Sequence, residues 1–159
     1  MQIPANMLIK QTAYWNINHR INSALPGYIM LSSRLDEGQL HLLPQKALTE
    51  MTYLMSKIDY ALNELLTPNH LYISRYGHNK NLAIHFHFIP ITQWLINLFW
   101  QDQRYRQLQS FGAENPETIT DGAELTFFIW REFCERPDPP IYQGPSREMI
   151  IEKLKVMLA

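Results

Sequence analysis

Ala83-Ile84-His85-Phe86-His87-Phe88-Ile89-Pro90 is the stretch that decides the fold. Histidines alternate with apolar residues, which is the period of an extended strand, where every second side chain shares a face. His85, His87 and Ala83 then point one way, and Ile84, Phe86 and Phe88 the other. One face is greasy and needs covering; the other presents two imidazoles. Histidine has the side-chain pKa nearest neutrality, so such a pair can attack, donate and accept protons near pH 7. The pattern alone also suits two half-exposed sheet residues. It suits a metal pair too, completed by His78, His19 or a carboxylate, although no third ligand stands at a fixed spacing.

Working outward, Leu71 to Tyr76 reads as a second strand, joined to Leu82–Ile91 through the turn Gly77-His78-Asn79-Lys80-Asn81. Before it, Leu48, Met51, Ile58, Leu62 and Leu65–Leu66 recur at three- and four-residue steps. That spacing predicts an amphipathic helix from Pro44 to Leu66, with Pro44 at its start and Pro68 just past its end. Its apolar stripe fits the greasy side of a sheet. Extended segments are expected at Tyr14, Trp15 and Ile17 and again after the Pro26-Gly27 turn, followed by a loop from Leu35 to Leu43. Downstream, Thr92 is placed to cap a helix from about Gln93 to Leu108, and a polar loop follows it. Ala123 to Phe133 fits a buried strand or a buried helix, with Asp121 and Arg131/Arg136 favouring the helix. Pro137, Pro139, Pro140 and Pro145 mark an extended tail before a last helix from Ser146.

The whole chain of 159 residues, 46% hydrophobic and 18% charged, fits one globular domain able to bury a core. A formal charge of −1 argues against gripping nucleic acid or an anionic membrane by bulk charge, and leaves room for one small basic pocket. The single cysteine, Cys134, cannot form an internal disulfide or a multi-cysteine zinc site. No apolar run is long enough to span a membrane and no secretory signal is visible, so the expected location is cytoplasmic.

The string His85-Phe86-His87-Phe88-Ile89-Pro90, after a helix, a strand and a turn, resembles the signature of the histidine triad (HIT) family. That signature is three histidines alternating with apolar residues, then an apolar pair and proline. Pro26-Gly27-Tyr28-Ile29-Met30-Leu31 likewise resembles the family's Pro-Gly-His and the apolar strand behind it. The resemblance runs from about Tyr14 to Pro90. Residues from Trp94 onward resemble the C-terminal extension of one bacterial branch.

The resemblance implies an α+β fold: a HIT-like antiparallel sheet packed by a long helix, with additional C-terminal helices. It implies a HIT-like domain over 1–110 and an extension over 111–159, packed on the same domain or on a dimer partner. A homodimer, a nucleotide substrate and no metal or other cofactor are expected with it. In the family, the middle histidine attacks the α-phosphorus of a nucleoside phosphoramidate, a dinucleoside polyphosphate or a related ester. A nucleotidyl-histidine forms and is released to water or another acceptor. Mapped here, His85 is the nucleophile and His87 the contact to a nonbridging oxygen. Arg75 is the expected phosphate contact, with Asn18, His19, Tyr28 and Asn81 as further nucleotide contacts, while Arg20 reads as a solvated loop residue. The chain departs from the pattern at Ala83, where the first histidine belongs, at Tyr28, where the histidine after Pro-Gly belongs, and at Ile91, where a basic residue is usual. Tyr28 can still donate a hydrogen bond; Ala83 cannot. The alternatives are a nucleotide-binding or interaction protein without turnover, and a metal-binding protein using His85 and His87.

Overall fold

A computed structural model of the chain describes residues 2–77, 83–104 and 122–159. Its centre is one antiparallel sheet of five strands: β1 (Leu8–Gln11), β2 (Trp15–His19), β3 (Ile29–Ser33), β4 (His70–Ser74) and β5 (His85–Ile91). Their spatial order is β1-β2-β3-β5-β4, so the histidine strand lies between β3 and β4. Ser32 and Met30 stand across from His85 and His87 on one side, and Ser74 stands across from His87 on the other. The expected extended segment at Trp15 and Ile17 is β2, and it pairs with β1, a strand the sequence reading did not include. The turn joining β4 to β5, including the expected contact Asn81, lies outside the described residues.

The period of two along each strand sorts the sheet into two sides. Trp15, Ile17, Ile29, Leu31, Ile84 and Phe88 are buried together, against the apolar stripe of α1 (Gln45–Leu66) and against α4 (Arg147–Met157). Met51, Leu54, Ile58, Ala61, Leu62 and Leu66 form that stripe, so the expected helix has the expected partner. Full burial of a Leu or Ile contributes about 1.5–3 kcal/mol, which makes this stripe the main reason α1 stays docked. Pro44 precedes the first turn, and Thr67 closes the last in a left-handed conformation at φ 40°, its N–H bonded to the Asn63 carbonyl. At the other end of the layer Gly27 has φ +80°, and a Cβ there would stand 2.5 Å from Leu66 Cδ1. The Pro-Gly turn can therefore press against the end of α1, and β3 starts from that point.

The second side is covered at one end only. Ile89 and Ile91 of β5, with Leu25 and Tyr28, pack under α2 (Gln93–Gln101) and α3 (Gly122–Ile129). Thr92 caps α2 by accepting from Leu95 N, but the helix stops at Gln101, short of the expected Leu108. The ambiguous stretch 123–133 is helical. α3 passes without a break into a π-helical turn, Trp130–Glu135. This wider turn is held on both flanks. The Ala24 amide donates to the Phe133 carbonyl at 2.8 Å, while Arg104 and Arg136 reach the buried Glu132 at 2.6 and 2.7 Å. Ser146 caps α4 by accepting from Met149 N.

Candidate functional site

The uncovered part of the second side is a cleft of about 420 Å³. Asn16 and Asn18 from β2, Arg20 beyond its end, Met30 and Ser32 from β3, and Ala83, His85 and His87 line it, with Ile3, Ile21, Asn22 and Asp36 among the remaining walls. Asn16 and Asn18 of β2, Met30 and Ser32 of β3, and His85 and His87 of β5 are alternate residues of their strands, so this set follows from the same alternation that fills the core behind it.

His85 is half-buried, and its Nδ1 lies 3.0 Å from the Ala83 carbonyl. A carbonyl only accepts, so Nδ1 carries a proton, and in the neutral ring Nε2 keeps its lone pair. Nε2 makes no hydrogen bond among the described residues. That is the arrangement a nitrogen nucleophile needs.

His87 is 4% exposed and ringed by aromatic side chains: Tyr76 at 5.3 Å between centroids, Tyr28 at 5.8 Å, Trp130 at 6.3 Å and His85 at 5.1 Å. Its Nδ1 is 3.0 Å from the Tyr28 hydroxyl, and its Nε2 is buried with no hydrogen-bond partner among the described residues. Burial above all, then the charge of Arg20 and the neighbouring His85, holds its pKa down at about 3, so the ring is neutral near pH 7. Ser74 Oγ, from the residue across β4, is the other buried polar atom without a partner among the described residues.

Arg20 supplies the cleft's positive charge. Its guanidinium lies over the rings of Tyr28 at 4.9 Å and Trp130 at 5.1 Å. Nη1 donates to the Tyr28 hydroxyl at 2.5 Å and Nε to Asn22 at 2.9 Å. Nη2 makes no hydrogen bond among the described residues, and a stacked, oriented guanidinium of this kind suits a phosphate oxygen.

Of the expected site residues, the structure brings Asn18, His85 and His87 together on the cleft. His19 is not there. It shares the parity of Trp15 and Ile17, so it is fully buried on the helix side, with Nδ1 2.9 Å from the Arg20 carbonyl and Nε2 3.0 Å from that of Leu25. Burial lowers its pKa to about 4 against the raising effect of those two carbonyls. Arg75 is not there either. Ser74 takes the cleft-side position opposite His87, the next side chain turns away, and Arg75 Nη2 donates to the Gly38 carbonyl at 2.5 Å. Tyr28 stands behind His87 as its partner, 0% exposed, rather than on the cleft wall. Arg20, which reads from the sequence as solvated, is the cation that the described residues place on the cleft. Its parity with Asn16 and Asn18 is the signal that would have found it. Trp130 had no local signal, because 102 residues separate it from the Tyr28 hydroxyl to which it donates at 2.9 Å.

A second hollow, about 380 Å³, lies around Asp102, Arg104, Glu132 and Arg136, where the charges are already paired with one another. Among the described residues, no group of three or more His, Cys, Asp or Glu is placed to hold a metal ion, and no helix is long and apolar enough to cross a membrane.

No protein-family model and no curated protein matches the chain. Solved structures do. A zinc-bound histidine triad family protein from Mycobacterium smegmatis superposes with a TM-score of 0.54 at 15% identity, over 98% of this chain and 85% of that one. The diadenosine triphosphate hydrolase of Plasmodium falciparum matches with a TM-score of 0.51 at 19% identity, over 57% of this chain and 65% of its own. The NitFhit protein of C. elegans matches with a TM-score of 0.51 at 14% identity; 58% of this chain is covered, and the match spans 23% of that much longer protein. At these identities the likeness is one of fold.

Proposed function

This chain has the fold of the histidine triad proteins, and from that premise we propose that it is a nucleotidyl hydrolase or transferase acting at the α-phosphate of a nucleotide substrate. The observation that carries the reading is a pair of ring nitrogens at one cleft that have no hydrogen-bond partner among the described residues: His85 Nε2 and the buried His87 Nε2. In the proposed step His85 Nε2 attacks the α-phosphorus and forms a P–N bond, while the bond from phosphorus to the leaving group breaks with its electron pair. Water or another acceptor then attacks the same phosphorus, and the P–N bond breaks to return His85. His87 and Arg20 lie where they would face the oxygens of the group in transfer, and charge neutralisation there lowers the barrier to both halves. Nucleoside phosphoramidates and dinucleoside polyphosphates are the proposed substrate classes.

The test is a screen of both classes with mass spectrometry of the quenched enzyme. We expect a nucleotidyl adduct on His85, and a loss of turnover of roughly 10⁴-fold or more in His85→Ala, the scale seen when a covalent nucleophile is removed. Hydrolysis surviving in that variant overturns the mechanism. One observation favours a second reading: the Ala83 side chain offers no hydrogen bond where the resembled signature has a histidine. A nucleotide-binding protein without turnover would show saturable binding at the cleft and no adduct with any member of the screen.

A further inference from the structure

Three groups converge on the hydroxyl of Tyr28: Arg20 Nη1 at 2.5 Å, Trp130 Nε1 at 2.9 Å and His87 Nδ1 at 3.0 Å. Guanidinium and indole N–H groups can only donate. They therefore occupy the acceptor capacity of the phenol oxygen, and its own hydrogen has one acceptor left within reach, His87 Nδ1. If Nδ1 instead carried the ring proton, three donors would crowd one oxygen and the hydroxyl hydrogen would be stranded in a buried site, an arrangement folded proteins avoid.

We infer that Tyr28 and Trp130 are positioning residues that, together with Arg20, lock His87 as the neutral tautomer with its proton on Nε2. The consequence lies at the other end of the ring. Nε2 is the buried atom with no partner among the described residues, so the lock turns it into a fixed N–H donor beside His85. A neutral donor can meet a phosphate oxygen that gains charge in the transition state, and it does not repel the lone pair of His85 from taking up its own positive character. The low proton affinity of the buried His87 ring and the upward shift of the Tyr28 hydroxyl, both driven first by burial, exclude the ion pair of tyrosinate and imidazolium as the resting form. The device spans the chain. Tyr28 follows the Pro-Gly turn, Arg20 lies just past the end of β2, and Trp130 comes from the π-helical turn, so the C-terminal region completes the setting of a histidine on β5.

The kinetic side of this inference rests on the proposed nucleotidyl transfer; the spectroscopic side does not. The deciding experiment is long-range ¹H–¹⁵N correlation of protein labelled with ¹⁵N-histidine, with His87 assigned by its loss in His87→Gln. The wild-type chain should show an unmixed Nε2–H pattern for His87. Tyr28→Phe, which removes only the hydroxyl, should add a population of the Nδ1–H tautomer. Trp130→Phe should do the same to a smaller extent, and serves as the second variant if Tyr28→Phe does not fold. A wild-type His87 that is cationic or protonated on Nδ1 overturns the inference. So does an Nε2–H pattern left unmixed in both variants. On a substrate found by the screen, kcat should fall roughly ten- to hundredfold in Tyr28→Phe with KM changed less, because a misaligned donor is lost mainly from the transition state. If no nucleotide is turned over, the proposed function fails while the spectra still decide the tautomer.

Discussion

The two sides of the sheet each bury a histidine, and the two are used differently. On the helix side His19 has a backbone carbonyl against both ring nitrogens, those of Arg20 and Leu25, and it ties the loop after β2 to the strand that leads into it. On the cleft side His87 has one nitrogen held by Tyr28 and the other buried without a partner among the described residues. Both rings are kept neutral by burial, so neither burial nor a depressed pKa tells them apart. What separates them is what faces the rings: neutral His19 donates to one of its two carbonyls and packs its other nitrogen against the second, whereas His87 Nε2 meets no polar atom among the described residues. The arginines repeat the contrast. Arg75 donates to the Gly38 carbonyl from an exposed edge, whereas Arg20 is stacked and oriented beside the open histidines. A candidate site is marked by polar groups that the fold orients but does not use.

The largest effect that can break this contrast is on the cleft side. Arg20→Gln removes the positive charge that the described residues place on the cleft and should lower kcat/KM roughly 10²–10³-fold, the scale for losing an oriented donor to transition-state charge. Arg20→Lys keeps the charge but loses the planar stacking and the fork that reaches both Tyr28 and Asn22, so it should recover only part of that loss. Equal activity in wild type and Arg20→Gln on a substrate from the screen would remove Arg20 from the site.

Next in size is an effect the two histidines share. Each is neutral in the fold, at about 4 for His19 and about 3 for His87, against 6.5 in an unfolded chain. The unfolded state then binds more protons than the folded state once the pH drops below 6.5. Stability is full above that value and declines as the pH falls toward the folded-state values. By pH 5 each histidine should have withdrawn about 2 kcal/mol, measured by urea unfolding at fixed salt. Between pH 7 and 5 the carboxylates stay largely ionised, so the slope in that window belongs to the histidines. The groups acting on His19 besides its carbonyls are Arg147, which lowers its pKa, and Glu148, which raises it. His19→Gln should remove about half of the slope and leave the cleft chemistry in place. A stability that does not change from pH 7 to 5 would mean that neither ring is held neutral.

Much of this contrast was legible in the sequence because it follows from strand parity. His85 and His87 on one face, with Phe86 and Phe88 turned to the helix, required only the alternation along β5. The helix from Gln45 to Leu66 followed from its apolar steps, and the caps at Thr92 and Ser146 from the side chains placed there. Parity also explains where His19 goes. Asn18 and His19 are both expected as nucleotide contacts, but they are consecutive residues of β2, so only one of them can reach the cleft. The contribution of Trp130 was beyond any local pattern. It depends on where α3 ends, on the wide turn that follows, and on the docking of that turn against Ala24. Long-range packing of this kind leaves no period in the chain.

The smallest expected effect tests the contrast most directly, because it predicts nothing where a positive charge near the histidine strand invites a role. Arg75 lies one residue past β4, and its nearest strand neighbour, Ser74, faces His87. Its own side chain leaves on the opposite side and donates to the Gly38 carbonyl, a contact made from an exposed position. An exposed side-chain bond to a loop carbonyl contributes little, within about 0.5 kcal/mol for a surface substitution. Arg75→Gln should therefore change kcat/KM by less than about twofold and stability by no more than that small amount, while Arg20→Gln, assayed in parallel, loses most of its activity. If Arg75→Gln is the more damaged of the two, the phosphate is met from the β4 edge of the sheet and not from the end of β2. The open Nη2 of Arg20 would then be an orientation without a ligand. The pair of variants compares two guanidiniums that differ chiefly in the face they take and in what already holds them.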